Sequence, residues 1–111
     1  MITFEEQEEL QKIIRTAKIT QQIRRADLRK ATAAKRAIER GIQRNCYLMK
    51  SYEAKVQRVE PGGAEFEECV SMIERLQREN DGVAVLKLHL HQLIAESDPF
   101  NMTYNPIEVI D

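Results

Sequence analysis

The chain has 111 residues, with 17 Lys and Arg against 18 Asp and Glu, a net charge of −1, four Gly, three Pro and no Trp. That length bounds it to one domain with a modest core, and the abundance of Glu, Lys, Arg, Gln, Ala and Leu leans toward helix. No apolar run approaches the roughly 20 residues of a membrane span. The opening MITFEEQEEL lacks the basic-then-apolar order of an export signal, so a cytoplasmic location with two free cysteines is expected.

The near-zero net charge hides segregation. Residues 1–11 carry four acids and no base, residues 12–59 carry 14 bases and three acids, and residues 60–111 carry three bases and 11 acids. A basic middle is flanked by acidic ends.

The first expected element is one long helix over residues 3–60. Thr3 followed by Glu6 fits a capping box, and Glu5, Glu6, Glu8 and Glu9 suit the positive end of the helix dipole. No Pro interrupts the stretch before Pro61. Alternate steps of four and three from Leu10 define a heptad seam through Leu10, Ile14, Ala17, Gln21, Arg24, Leu28, Ala31, Lys35, Ile38, Ile42, Asn45, Met49, Tyr52, Val56 and Val59. Gln21, Arg24 and Lys35 weaken it between residues 20 and 36, and Asn45 is placed to fix register.

Pro61-Gly62-Gly63 is the expected turn. A second helix, or a helix pair, is expected over 64–96, with Phe66, Cys69, Val70, Ile73 and Leu76 at helical spacing. Asn80-Asp81-Gly82 is a candidate interruption. The alternation of Ala84, Leu86, Leu88 and Leu90 also resembles a strand, but Leu86, Leu90, Leu93 and Ile94 fit period 3.6, so helix is preferred. Residues 97–111 read as an extended arm. Its end, PIEVID, suits either packing on its own bundle or addition to a partner's groove or sheet edge.

The fold class expected is therefore all-α: a long coiled-coil-like helical hairpin over residues 1–96, with the arm beyond it. A fold at 61–63 sets residue i opposite about 124 − i. Residues 3–27 then overhang with Leu10, Ile13, Ile14, Ile19 and Ile23 uncovered. Either the helix breaks near 20–27 and folds back as a three-helix bundle, or two chains cover each other. The lack of Gly or Pro there favours a homodimer, with Leu10, Ile14, Leu28, Ile38, Ile42, Met49 and Val56 in the dimer or bundle seam.

The functional candidate is a basic stripe. Arg25, Arg29, Arg36, Arg40 and Arg44 fall at spacings of 4, 7, 4 and 4, along one side of a helix. The like-charge pairs Arg25/Arg29, Arg36/Arg40 and Arg40/Arg44 each cost roughly 0.2–0.5 kcal/mol. A helix built for solubility alone would alternate signs. A solvated helix face or neutralisation by the acids of a second copy, an acidic protein surface, and nucleic-acid phosphate are the three readings of the stripe. No aromatic residue interleaves with these arginines, which argues against base stacking.

Cys46, Cys69, His89 and His91 are zinc-type residues at spacings that do not converge on a helical hairpin. No metal and no other cofactor is expected. A phosphate-cradling loop and a nucleophile elbow are both missing, so neither an enzyme nor a small-molecule substrate is expected. The leading expectation is a small non-enzymatic interaction protein: an adaptor, regulator or inhibitor that meets a macromolecular partner through the basic helix face. Non-specific nucleic-acid binding by the stripe and a structural assembly role are the alternatives.

Overall fold

Among the described residues, three helices and two short strands are formed in the order α1 (Phe4–Thr20), β1 (Gln22–Arg24), α2 (Arg25–Val56), α3 (Ala64–Glu96) and β2 (Glu108–Ile110). This is a computed structural model, and it describes residues 2–102 and 104–111. The chain is mostly helical, and the two long helices α2 and α3 pack against each other. By their internal packing the residues divide into two units. One combines Met1–Glu39 with Val85–Asp111; the other is Arg40–Ala84.

The single helix expected over 3–60 is not formed. It breaks after Thr20, where Gln21 takes the left-handed conformation (φ 56°, ψ 27°) as the C-cap of α1. Non-glycine residues seldom adopt this conformation. Local hydrogen bonds hold the turn: Gln21 Nε2 donates to Lys18 O at 2.7 Å, and Thr20 Oγ1 donates to Thr16 O at 2.8 Å and accepts from Gln22 N at 3.3 Å. Such side-chain bonds offer the backbone an alternative to continued helix. At its other end α1 is capped as expected, with Thr3 Oγ1 accepting from Glu6 N at 3.1 Å.

The break turns the overhang into a core. Leu10, Ile14 and Ala17 of α1 and Ile23 of β1 are all buried within the chain itself. Ile19 stays exposed. A second chain was expected because these residues would otherwise face water, and the fold meets most of that need internally. Light scattering at micromolar concentration distinguishes one chain, 12.9 kDa, from a homodimer of twice that mass. Glu9 of α1 also bonds Lys30 of α2 at 3.0 Å. That bond holds the Lys30 ammonium above its ordinary value. The contribution is complete below the ordinary lysine range and is lost as pH rises through the raised value.

The remaining core of this first unit comes from Ala31 and Ile38 of α2, Leu86, Leu90 and Leu93 of α3, and Ile107 just before β2. The expected seam residue Leu28 is half-buried. β1 and β2 form a two-stranded parallel sheet in the register Gln22↔Glu108, Ile23↔Val109, Arg24↔Ile110. The segment read as an arm thus packs on its own chain.

The second unit is a helical hairpin. α2 ends at Val56, short of the expected residue 60. Gly62 takes a positive φ of 81°, and Gly63 O receives Glu67 N at 3.1 Å to start α3. Cys69, Leu76 and Val83 of α3 are buried, as is Met49 of α2, while Ile42 and Val56 are half-buried. Between the helices Asn45 Nδ2 donates to Asn80 Oδ1 at 3.0 Å, with both residues buried, and to Glu79 Oε2 at 3.2 Å. The register rule set residue 45 opposite 79.

The Asn80-Asp81-Gly82 interruption does not occur, and α3 runs through it. Gly82 is exposed, and a Cβ there meets nothing within 4 Å. Gly82→Ala is expected to stabilise the protein by about 1 kcal/mol through helix propensity. Gly62→Ala also meets open space, yet should cost about 1–2 kcal/mol because of its positive φ. Paired urea melts read both signs.

Candidate functional site: an arginine-walled groove

All five stripe arginines are exposed, but they fall into two sets. Arg25, Arg29 and Arg36 belong to the first unit, and Arg40 and Arg44 to the second. The first set has a built surround. Where α2 begins, β2 and the end of α3 stand beside it, and a groove of about 940 Å³ lies between them.

One wall of the groove is α2, contributing Arg25, Arg29 and Arg36 with Leu28, Thr32 and Ala33 between them. This is the stripe's four- and seven-residue spacing acting as expected of a helix face. The opposite wall is the segment beyond α3: Ser97, Asp98 and Pro99, then Pro106, Ile107, Glu108 and Val109. That wall is fixed by specific bonds. Ser97 Oγ, buried, donates to Leu93 O at 2.7 Å. Asp98 Oδ1 accepts from Phe100 N at 2.9 Å, and Asn101 Nδ2 donates to Ala95 O at 2.8 Å. Ile107 N donates to Glu96 O at 2.9 Å and Glu108 N to Gln21 O at 2.9 Å. These bonds tie the segment to α3 on one side and to the α1–β1 turn on the other.

The charge is not one-sided. Asp111 Oδ1 meets Arg25 Nε at 3.3 Å, both side chains being well exposed, so the pair is worth little. Asp98 and Glu108 line the same groove. The hairpin register alone set only Glu96 opposite this part of α2; the folded-back segment supplies three further acids. Among the described residues, no carboxylate comes within 4 Å of Arg29, Arg36, Arg40 or Arg44. In the segment between Pro99 and Pro106, Phe100 is 92% exposed, and Met102 and Tyr104 are fully exposed.

Sequence reasoning missed the second wall. Its signal was PIEVID, a short apolar–acidic alternation in a segment whose breaks and weak helical pattern mark it only as an extended arm. The partner, Gln22–Arg24, lay hidden inside the stretch assigned to helix.

Cys46 is exposed and Cys69 buried, both as free thiols. Among the described residues, no three His, Cys, Asp or Glu side chains gather as metal ligands would. No described helix is long and apolar enough to cross a membrane. The chain matches no family model, no curated protein and no solved structure.

Proposed function

We propose that this protein is a small non-enzymatic interaction module that engages an acidic protein partner through the arginine face of α2. It would serve as an adaptor, regulator or inhibitor. The observation that carries this reading is the state of Arg29 and Arg36. Both are exposed on a groove wall, and no carboxylate of the described chain comes within ion-pair distance of either. Solvated cations fixed along a helix raise encounter rates with acidic surfaces.

A protein partner fits better than phosphate. Asp98, Glu108 and Asp111 stand around the same groove and would repel a polyanion tracking its length, whereas a folded or extended protein can place carboxylates opposite the arginines alone.

The test is capture by immobilised wild-type protein and by an Arg29→Glu/Arg36→Glu variant, run side by side over a salt series with capped peptides carrying two or three glutamates among neutral residues, duplex DNA and RNA. Retention of the acidic peptides at low salt is expected to fall at least tenfold in the variant, with an unchanged melting temperature. Equal retention by both proteins removes the reading. Preferential, salt-dependent retention of DNA or RNA replaces it with nucleic-acid binding.

A further inference from the structure

The groove has an exposed strand edge as well as arginines. In a parallel pair, successive residues point their N–H and C=O alternately toward and away from the partner strand. Glu108 N donates to Gln21 O at 2.9 Å across the sheet, so Val109 turns its N–H and C=O away from β1. Ile107 lies on that same side and donates to Glu96 O at the end of α3. Val109, next along this side, lines the groove opposite Arg25, Arg29 and Arg36. Among the described residues the sheet has two strands, in the order β1-β2, and no third strand lies along this edge of β2 beside Val109.

We infer that the groove receives an extended acidic peptide segment of a partner protein, which adds as a third strand along β2 and sets its carboxylates against Arg29 and Arg36. The inference rests on the basic-face reading above and specifies the partner's form. Strand addition uses backbone bonds for affinity and alternate side chains for specificity.

The dimensions agree. Arg25 to Arg36 spans about 16 Å of helix axis, the length of about five extended residues. Arg29 and Arg36 are about 10 Å apart along the axis. Same-face residues of a strand recur at about 7 and 13 Å, and the long arginine side chains bridge the difference. Asp111 stands 3.3 Å from Arg25, and no carboxylate of the described residues comes within ion-pair distance of Arg29 or Arg36, so these two arginines select a segment with two same-face acids.

The probe is a pool of capped octapeptides with glutamate at every second position and Val, Ile, Thr or Tyr between. It is compared with the same pool carrying lysine and with one N-methylated at alternate backbone nitrogens. Binding to the full chain is read by fluorescence anisotropy, and the Val109 amide by hydrogen exchange. The glutamate pool is expected to bind at least tenfold more tightly than either comparison pool, and to slow Val109 exchange at least tenfold. Arg29→Glu and Arg36→Glu should each weaken it several-fold.

Equal binding of the N-methylated pool, or a Val109 amide unchanged at saturation, overturns strand addition. If the arginine reversals still weaken binding in that case, the basic-face reading stands alone. If the reversals change nothing, both fall. A glutamate pool that binds no better than the lysine pool also overturns the inference.

Discussion

Leu90→Ala is expected to lower the unfolding free energy by about 2–5 kcal/mol. Leu90 has no exposed surface, and Ile38 and Leu93 in the same unit share that state. A protein of this size has about 5–15 kcal/mol in total, so one truncation removes a large share. The control is Leu88→Ala, two residues away and 54% exposed, where a change of about 0.5 kcal/mol is expected. The pair also separates helix from strand. Leu86, Leu88 and Leu90 would share one face of a strand, and their substitutions would then cost alike. On α3, Leu86 and Leu90 turn inward and Leu88 outward. Urea unfolding followed by circular dichroism reads the difference.

The Asn45–Asn80 pair should behave in the opposite sense to a leucine. Asn45→Leu leaves a buried Asn80 amide without its main partner, for an expected cost of about 1–3 kcal/mol. Asn80 retains only a long contact to Cys46 Sγ at 3.9 Å. Asn45→Leu/Asn80→Leu replaces both amides, and its stability is expected to equal or exceed the wild type. What the double variant loses is register. The bonded amides favour one alignment of α2 on α3 over its neighbours, as a buried polar residue does in a coiled coil. The expected outcome is therefore a recovered melting temperature with a less cooperative transition. A double variant no more stable than Asn45→Leu would show that the pair's contribution is not one of mutual hydrogen bonding.

The parts of the fold that were legible in the sequence are those set by local chemistry. Pro61-Gly62-Gly63 followed by Glu65, Glu67 and Glu68 marks the start of a helix at Ala64, where α3 begins. Period-3.6 spacing outweighed the period-2 alternation over 84–90, and the register rule brought Asn45 to Glu79 and Asn80. The break at Gln21 was legible only as the less favoured of two ways to cover the overhang of residues 3–27. Its turn uses no Gly or Pro, and its left-handed residue is held by bonds from Thr20 and Gln21 side chains. The warning was indirect: the heptad seam fails at Gln21 and Arg24, where the chain leaves the helix.

The groove was half legible for the same reason. A helix fixes where its arginines point, so Arg25, Arg29 and Arg36 could be placed on one face from spacing alone. The opposite wall depends on β1 pairing with β2, residues far apart in sequence, and no local pattern encodes such a meeting.

That pairing bears on the order in which the molecule assembles. Arg40–Ala84 closes on a continuous stretch of chain, so its contacts carry a small loop-closure cost and can form early. The first unit draws on two separate stretches, and its strands lie 86 positions apart (Gln22 to Glu108). Ile23 and Ile107 can reach their buried places only when the two stretches meet. A chain with the hairpin closed and β2 unpaired would carry the arginines of α2 in full and lack the strand that faces them.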